Sequence, residues 1–399
     1  MTVSQRTFIV VILSAVLAVA GSEIYAPSLP HLVREFNVSL HLVQWSMAIY
    51  MIGICTTQLV YGPISDQLGR RKPMIFGMTL FTLGAILGAT AQSMEALLIA
   101  RFIQGVGAGG PTGLWRSTFR DIYHGSELAH KASYVTLAIS AVLPISPALG
   151  GYLESVFGWQ GSFVFMTIYG VFSFLFLFFG FQETNKSLST DPLTIRSTMK
   201  TYWAFTKNRI FMGGTIVTSL IFGVKFSAAV ATPVFFIKSL GLTPLEFGWV
   251  TTINVAASYT LSSLYNTRMV KKKGVAFMLR LGMASVFTAG LLLGVSYLLI
   301  GLNTFLLILS LFCLYFGGAL VFPSAFSTAF TPLTHHIGYA SAFYGFSQTA
   351  GGALVSSLIA ALPDETPLSF AFLIVITSLI AWYTHTKLVL QAPQSEGVR

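Results

Sequence analysis

The first apolar segment of the chain, residues 7–30, is TFIVVILSAVLAVAGSEIYAPSLP. Its first sixteen residues, Thr7 to Ser22, contain no acid or base, and Glu23 follows them directly. A carboxylate carried into lipid costs roughly 2.5 to 3.5 kcal/mol, so it usually faces a bundle interior, a water-filled cavity or a partner charge. The segment therefore predicts a membrane-spanning helix with a functional acid near its far end. The alternative is that Glu23 reaches the lipid headgroups.

Composition indicates that almost the whole chain lies in a lipid bilayer. Of its 399 residues, 54% are hydrophobic and only 9% are charged, whereas roughly a quarter are charged in an ordinary soluble domain. Apolar segments of about 20 residues, each able to span a hydrocarbon core, recur nearly to the end. They predict twelve spans, at 7–28, 43–63, 74–92, 94–116, 132–154, 161–182, 209–236, 246–266, 278–300, 303–330, 341–361 and 368–388.

The placement of charge predicts the topology of these spans. The formal net charge of +10 could suggest a nucleic-acid partner, but the basic residues lie in alternate connections. This is the positive-inside asymmetry, and it predicts cytoplasmic termini and no nucleic-acid partner. The basic connections contain Arg70, Arg71 and Lys72; Arg116, Arg120 and Lys131; five residues from Lys186 to Arg209; and Arg268, Lys271, Lys272, Lys273 and Arg280, whereas Asp364 and Glu365 make one intervening connection acidic.

A polar stretch and a faint repeat divide the chain into halves. The stretch from Glu183 to Arg209 follows the sixth span and predicts a cytoplasmic linker, 183–208, between six-helix bundles at 1–182 and 209–399. The sequence NVSLHLVQW (37–45) aligns without gaps with GLTPLEFGW (241–249). We therefore predict an all-α integral membrane protein of two pseudo-symmetric six-helix bundles. In such proteins the substrate site lies at the interface of the repeats, near the bilayer midplane.

Five glycines within nine residues mark a packing surface in the fourth span. They are Gly105, Gly107, Gly109, Gly110 and Gly113. Small residues let helix backbones approach closely in lipid, where hydrophobic attraction between helices is absent.

Two charges occupy corresponding places in the halves. Glu23 and Lys225 each lie sixteen residues into the first span of their half, or ~24 Å along a helix. We expect them to face one central cavity, although the Lys225 stem could instead extend outward to the interface. An apolar cavity favours the neutral acid, whereas a nearby cation favours the carboxylate. Glu23 could therefore exchange a proton for a cationic ligand, which is the coupling that antiport requires.

Further polar residues within the spans are candidates for coupling, gating and binding. Arg101 stays protonated and could influence the protonation of Glu23. At the cytoplasmic end of the same span, Arg116, Arg120 and Asp121 could pair across an inner gate, or could be solvated loop charges. The predicted cavity lining consists of Tyr50, Gln58, Asn254, Tyr259, Tyr315 and Gln348.

Motifs for chemical catalysis are not found in the sequence. It contains no phosphate-cradling P-loop, no Cys/His cluster with metal spacing and no nucleophile triad. We therefore expect no enzymatic activity, no cofactor and no metal.

Two motifs resemble those of the major facilitator superfamily. The sequence GPISDQLGRRK (62–72) resembles its signature loop between spans two and three, and RFIQG (101–105) resembles its fourth-span motif linked to proton coupling. In the family, the loop Asp and Arg residues help to latch the cytoplasmic side shut. The resemblance implies this role for Asp66 and Arg70, with Arg71 in the same loop.

Within the superfamily the chain is most similar to the drug/proton antiporters of the bicyclomycin and chloramphenicol resistance (Bcr/CflA) group. The segments that carry this are EIYAPSLP (23–30), QLVYGP (58–63) and PISPALGG (144–151), with Arg116 and the pair Arg120–Asp121. The resemblance implies a monomeric transporter of the bacterial inner membrane that works by alternating access. It would export drugs or small amphipathic compounds in exchange for protons. Glu23 would bind proton and ligand, Arg101 would couple them, and Lys225 would be a pocket charge.

Two other functions remain compatible with the residues. Lys225 together with Arg101 would suit an anionic metabolite or a siderophore carboxylate, moved in either direction. A membrane sensor or assembly factor would bind a ligand without transporting it.

Overall fold

The computed structural model describes residues 3–123, 125–185, 195–333, 337–362 and 366–391. Over these ranges the chain is helical and contains no β-strand. Residues Asp364 and Glu365, which entered the topology argument, lie outside the described ranges. The helices are α1 Val3–Glu23, α2 Leu29–Glu35, α3 Leu40–Leu68, α4 Arg71–Ala89, α5 Met94–Ile122, α6 Gly125–Phe157, α7 Gln160–Gly180, α8 Ile195–Thr206, α9 Arg209–Pro233, α10 Pro244–Lys273, α11 Val275–Ile300, α12 Thr304–Phe330, α13 Ile337–Ala361 and α14 Leu368–Thr384.

The predicted twelve-helix membrane fold is confirmed. Within the described ranges, eight helical stretches are long and apolar enough to cross a bilayer: α1 with α2, α3, α4, α7, α9, α11, α12 and α14. Four more helices, α5, α6, α10 and α13, have 25 to 33 residues, which is also long enough to span. They complete the twelve.

The ends of the helices are set by caps and prolines. Capping side chains accept a hydrogen bond from a backbone N–H of the first turn, which satisfies a donor that the helix itself leaves open. Examples are Ser39 for α3, Ser93 for α5, Asn208 for α9 and Asn303 for α12. The predicted first span, 7–28, is interrupted after Glu23. A short 3₁₀ turn, Ala26–Ser28, follows, and α2 starts anew with Pro30 in its first turn, a position where the missing proline N–H costs nothing.

Several helices extend beyond their predicted spans. Helix α3 continues to Leu68, α5 to Ile122 and α10 to Lys273, five to seven residues past the predicted ends 63, 116 and 266. An apolar window marks where lipid contact ends, whereas backbone hydrogen bonds continue through polar residues that favour helix.

The chain forms two compact units. Unit 1 comprises Met1–Thr198 with Thr243–Trp249, and unit 2 comprises Met199–Leu242 with Val250–Arg399. The division into bundles 1–182 and 209–399 with a linker between them stays a prediction. In unit 1 the helices alternate in direction. We call the end where α3 meets α4 the Arg70 end, and the end where α6 meets α7 the His31 end.

Burial differs strongly among the spans. The most apolar part of α9 is 83% buried and that of α1 with α2 is 69% buried, whereas α7 and α11 are each only 28% buried. The aromatic side chains of α7 illustrate this, since Phe172 and Phe179 are exposed. Helices α7 and α11 therefore offer their side chains mainly to lipid.

The glycines of α5 bring two neighbouring helices close. A Cβ at Gly105 would lie 2.2 Å from the carbonyl oxygen of Tyr50 on α3, and one at Gly107 would lie 2.1 Å from the backbone nitrogen of Phe81 on α4. Such positions cannot hold a larger residue unless the backbone moves. By contrast, the nearest atom to a Cβ at Gly113 would be 3.8 Å away, on Gln58.

We expect Gly105→Ala to lower the stability of the protein by about 1–3 kcal/mol, because the added methyl group overlaps a backbone oxygen that cannot rotate away. The matched control, Gly113→Ala, has room for the methyl group and should gain about 0.5–1 kcal/mol from the better helix propensity of alanine. Thermal unfolding of the two purified variants in detergent measures this. Equal shifts in the unfolding midpoint would contradict the close packing of α3 and α5.

Candidate functional site

Arg101 lies in the interior of unit 1 and is completely buried. Its Nη1 donates hydrogen bonds to the Gly21 carbonyl oxygen at 3.1 Å and to Gln104 Oε1 at 2.5 Å. The guanidinium carbon lies 4.2 Å from the ring centroid of Tyr50 and 5.0 Å from that of Tyr25. Aromatic faces attract cations, most strongly when water is excluded. The positive charge is therefore stabilised by rings and amide oxygens, with no carboxylate bonded to it among the described residues.

Helices α1, α3 and α5 together position this guanidinium. Arg101 and Gln104 lie one turn apart on α5, so the two side chains point in the same direction. Tyr50 is supplied by α3, whose close approach to α5 is permitted by Gly105. The Tyr25 hydroxyl lies 3.2 Å from Ser46 Oγ, which fixes the second ring beside the cation.

Glu23 is the last residue of α1 and is half-buried. It lies two residues after Gly21, whose carbonyl oxygen is bonded to Arg101. The negative end of the helix dipole opposes a carboxylate at this position. The turn that follows is fixed as well, because Ser162 Oγ donates to the Ile24 carbonyl oxygen at 3.2 Å.

Two predicted lining residues of unit 1 are engaged within the bundle. Tyr50 is completely buried beneath Arg101. Gln58 is buried, and its Nε2 donates to Thr112 Oγ1 of α5 at 3.4 Å. Roles for them in substrate binding stay predictions.

At the Arg70 end, charged side chains form a hydrogen-bonded cluster. Arg70 Nε donates to Asp121 Oδ2 at 2.9 Å, and Nη1 donates to Asp66 Oδ1 and Ser65 Oγ, each at 2.5 Å. Burial alone would lower the pKa of the Arg70 guanidinium, but the hydrogen bonds and charges of Asp121 and Asp66 outweigh it and raise the pKa above its ordinary value. One guanidinium thus ties α3 to the end of α5.

Glu183 completes this cluster, and the sequence interpretation did not include it among the site residues. Its carboxylate accepts hydrogen bonds from the backbone N–H of Arg70 at 2.8 Å and of Arg71 at 3.1 Å, so it caps the start of α4. Gly69 makes room for it, since its φ is 84° and a Cβ there would overlap the carboxylate. The run Glu183–Thr184 was a possible signal, because an acidic residue just after a span has a helix N-terminus as a natural partner.

The remaining predicted gate residues are Arg71, Arg116 and Arg120. Arg71 Nη2 donates to the Phe178 carbonyl oxygen at 2.7 Å. The Arg116 guanidinium lies 4.5 Å from the Trp115 ring centroid. Arg120 is exposed at the last turn of α5 and does not join the bonds of Arg70.

In unit 2, Lys225 is buried on α9. Its Nζ lies 5.6 Å from the ring centroid of Tyr259 and 5.9 Å from that of Phe222. Asn254 donates to the Ile308 carbonyl oxygen at 2.8 Å, which joins α10 to α12. Tyr315 is buried and Gln348 is half-buried.

Among the residues that the structure describes, no group of three or more His, Cys, Asp or Glu side chains is arranged to hold a metal ion. Cys55 and Cys313 are free thiols in different units.

Comparison with known proteins identifies the family. The sequence profile of the Major Facilitator Superfamily matches residues 11–356. The chain belongs to this superfamily. It is therefore a multi-pass membrane transporter.

Individual relatives in the superfamily confirm the resemblance to drug-resistance transporters. The chain is 25% identical to the bicyclomycin resistance protein homolog of Haemophilus influenzae, over 97% of this chain and 98% of that protein. It is also 25% identical to multidrug resistance protein D of Escherichia coli, over 94% of each. An uncharacterised transporter of the superfamily from Bacillus subtilis, YdgK, is 28% identical over 92% of this chain and 91% of its own length.

Solved structures of superfamily members share the fold. A POT family transporter in complex with 5-aminolevulinic acid has a TM-score of 0.78 at 13% identity and covers 98% of this chain and 96% of its own. A D-xylose–proton symporter has a TM-score of 0.73 at 15% identity and covers 99% of both. At these identities the likeness concerns the fold alone.

We expect Glu183→Ala to loosen the first turn of α4, because two backbone N–H groups lose their acceptor. Loss of a helix cap costs about 0.5–2 kcal/mol, so local opening should become roughly 2- to 30-fold more frequent. Hydrogen–deuterium exchange of the peptide containing Arg70 and Arg71 measures this. Glu127→Ala, at an exposed carboxylate on α6, is the matched control, and equal exchange in the two variants would show that Glu183 is not the cap.

Proposed function

We propose that this transporter is a proton-coupled antiporter that exports drugs or small amphipathic compounds by alternating access. The observation that carries the proposal is the contact between Arg101 and the end of α1. A completely buried guanidinium bonds the carbonyl oxygen of Gly21, two residues before the half-buried Glu23. A fixed positive charge is thus bonded to the last turn of α1, the turn that carries Glu23.

Opposing influences on Glu23 give it two states. The helix end and apolar surroundings favour the neutral acid, whereas Arg101 and a cationic ligand favour the carboxylate. A proton and a cationic cargo then compete for one carboxylate. Because each displaces the other, an inward proton gradient drives the cargo outward.

The charged cluster at the Arg70 end of unit 1 supports an alternating mechanism. The cluster of Arg70 with Asp66 and Asp121 ties helix ends together through bonds that can break and re-form when helices move. We propose that it latches the cytoplasmic side, with Arg71, Arg116 and Arg120 beside it. The same proposal places both termini in the cytoplasm of a bacterial cell, in the inner membrane, and takes the protein to be a monomer.

The proposed cargo follows from the polar residues of the spans and from the names of the relatives. Isolated polar groups among apolar side chains suit an amphipathic compound. The relatives named for bicyclomycin and multidrug resistance support the same class. The proposed binding residues are Glu23, Tyr50, Gln58, Lys225, Asn254, Tyr259, Tyr315 and Gln348.

A second candidate function rests on the burial of Lys225. A lysine held over the rings of Phe222 and Tyr259 could recognise the carboxylate of an anionic metabolite or a siderophore. Together with Arg101 it would favour anions over cations. The fold and the alternating mechanism would be the same.

We expect Glu23→Gln to abolish proton-driven transport while leaving the protein folded, because the amide cannot exchange a proton for a cation. Efflux of lipophilic cations from proteoliposomes under an imposed pH gradient measures this. Glu95→Gln, at an exposed carboxylate on α5, is the control and should transport normally. Undiminished pH-driven flux through the Glu23 variant would defeat the assignment.

Lys225→Ala separates the two cargo classes. If the cargo is cationic, flux of cationic dyes should persist, because Lys225 does not attract a cation and its loss therefore does not weaken dye binding. If the cargo is anionic, flux of carboxylate compounds should fall by at least about tenfold, since a lost charge-assisted hydrogen bond costs roughly 1.5–3 kcal/mol. A flux panel with both classes of compound, with Lys238→Ala as the control, decides between them.

A further inference from the structure

A second acidic site lies at the His31 end of unit 1. Glu154, one turn before the end of α6, has a side chain that is only 4% exposed. Ser28 Oγ donates a short hydrogen bond to its Oε2, and His31 Nδ1 lies 2.6 Å from its Oε1. Both carboxylate oxygens are therefore bonded from the short turn and helix α2 that follow Glu23.

The imidazole of His31 connects this buried carboxylate with the surface. Its Nδ1 faces Glu154, and its Nε2 lies 3.9 Å from Glu35 Oε2. The side chains of His31 and Glu35 are 39% and 46% exposed. One ring nitrogen is thus within hydrogen-bond distance of a buried acid, while the other is open to solvent near an exposed acid, and imidazole is the side chain that ordinarily titrates near neutral pH.

The site is joined to the interrupted end of α1. Gly150, one turn before Glu154 on α6, packs against the Ile24 carbonyl oxygen. The Tyr25 ring lies 5.0 Å from the Arg101 guanidinium, and Ser28, which bonds Glu154, ends the short 3₁₀ turn that follows Tyr25. The turn that bonds Glu154 is thus continuous with the residues that hold Arg101.

Other charged groups around the site are few among the described residues. The turn after α1 contributes Tyr25, and helix α2 contributes His31, the exposed Arg34 and Glu35. The segment 243–249, which packs on α6 at Gly151, contributes Glu246, but its carboxylate is exposed and bonded to Thr243. Helix α7 contributes apolar groups and Ser162.

We propose that His31 and Glu154 form a proton-binding site, distinct from Glu23, that is loaded from solution at the His31 end. Nε2 of His31 takes a proton from water, which leaves hydroxide in solution, and Nδ1 passes its proton to Oε1 of Glu154. The products are a neutral imidazole protonated at Nε2 and a neutral carboxylic acid, and no other bond changes. Proton loading removes the charge of Glu154 beside the turn that follows Glu23.

A purely structural tie between α2 and α6 is the competing explanation. Buried ion pairs are weak sources of stability, since a well-packed apolar pair of similar volume is often as stable. An apolar pair would hold α2 on α6 equally well. The half-exposed imidazole and the second acid at its far nitrogen serve proton exchange and add nothing to such a tie.

The test uses the purified full-length protein, with histidines isotope-labelled for NMR and the His31 signal assigned by its loss in His31→Gln. We expect the His31 ring of the unaltered protein to change from the Nδ1–H to the Nε2–H tautomer as the pH falls, because its Nδ1 proton passes to Glu154. In Glu154→Gln the amide cannot accept that proton, so acidification should give the imidazolium, with both nitrogens protonated. Glu246→Gln, an exposed acid of the same unit, should leave the tautomer change as it is in the unaltered protein. A His31 ring that becomes an imidazolium in the unaltered protein, as in Glu154→Gln, would overturn the shared proton.

A second measurement separates proton loading from a structural tie. In proteoliposomes, the pH profile of lipophilic-cation efflux should lose one inflection between about pH 5 and 8 in both Glu154→Gln and His31→Gln, with maximal flux retained. If the pH profiles of both variants coincide with that of the unaltered protein, His31 and Glu154 only link α2 to α6. The NMR result does not depend on transport, so failure of the antiport proposal and failure of this one are distinguishable.

Discussion

A permanently charged guanidinium in the interior of a helical bundle constrains everything around it. Arg101 cannot lose its charge, and burying that charge without compensating contacts would cost more than the free energy that stabilises a folded protein. The compensation comes from three helices at once: the Gly21 carbonyl oxygen on α1, the Tyr50 ring on α3 and the Gln104 amide one turn along α5. These helices must therefore approach closely, which explains the glycines at their contacts. The contact with Gly21 also holds the end of α1, and hence Glu23, beside the charge.

The other charges of unit 1 are gathered at its two ends, where water and helix termini can stabilise them. At one end Arg70 bonds two carboxylates while Glu183 caps α4. At the other, Glu154 is bonded by Ser28 and His31 on the turn and helix that follow α1. Each end thus carries a compact polar cluster that joins helices through bonds that protonation or helix movement can break. Glu23 is the last residue of α1, just before the turn that bonds Glu154. In the proposed mechanism, gain or loss of a proton decides which end is tied.

Much of this could be predicted from the sequence, and the limits have physical causes. The twelve spans follow from apolar length, and the Arg70–Asp66 pair from the loop motif. The break after Glu23 was missed because apolarity continues through Ile24 and Leu29, while the prolines act on the backbone. Glu183 and Glu154 were missed because their partners are 112 and 123 residues away, and no local pattern marks such contacts. The bond from the Asn254 amide to the Ile308 carbonyl oxygen, which joins α10 to α12, was not predicted either, because polar side chains in lipid bond whichever backbone oxygen lies within reach.

The central claim is obligatory exchange of protons for cargo, and the reverse reaction tests it most directly. Proteoliposomes containing the unaltered protein are loaded with a lipophilic cation and diluted into cation-free buffer, and the lumenal pH is followed with a trapped indicator. The account predicts that the lumen acidifies as the cation leaves, at a rate proportional to cation efflux and absent from protein-free vesicles. Cation efflux through the protein at constant lumenal pH, or with alkalinisation, would contradict it.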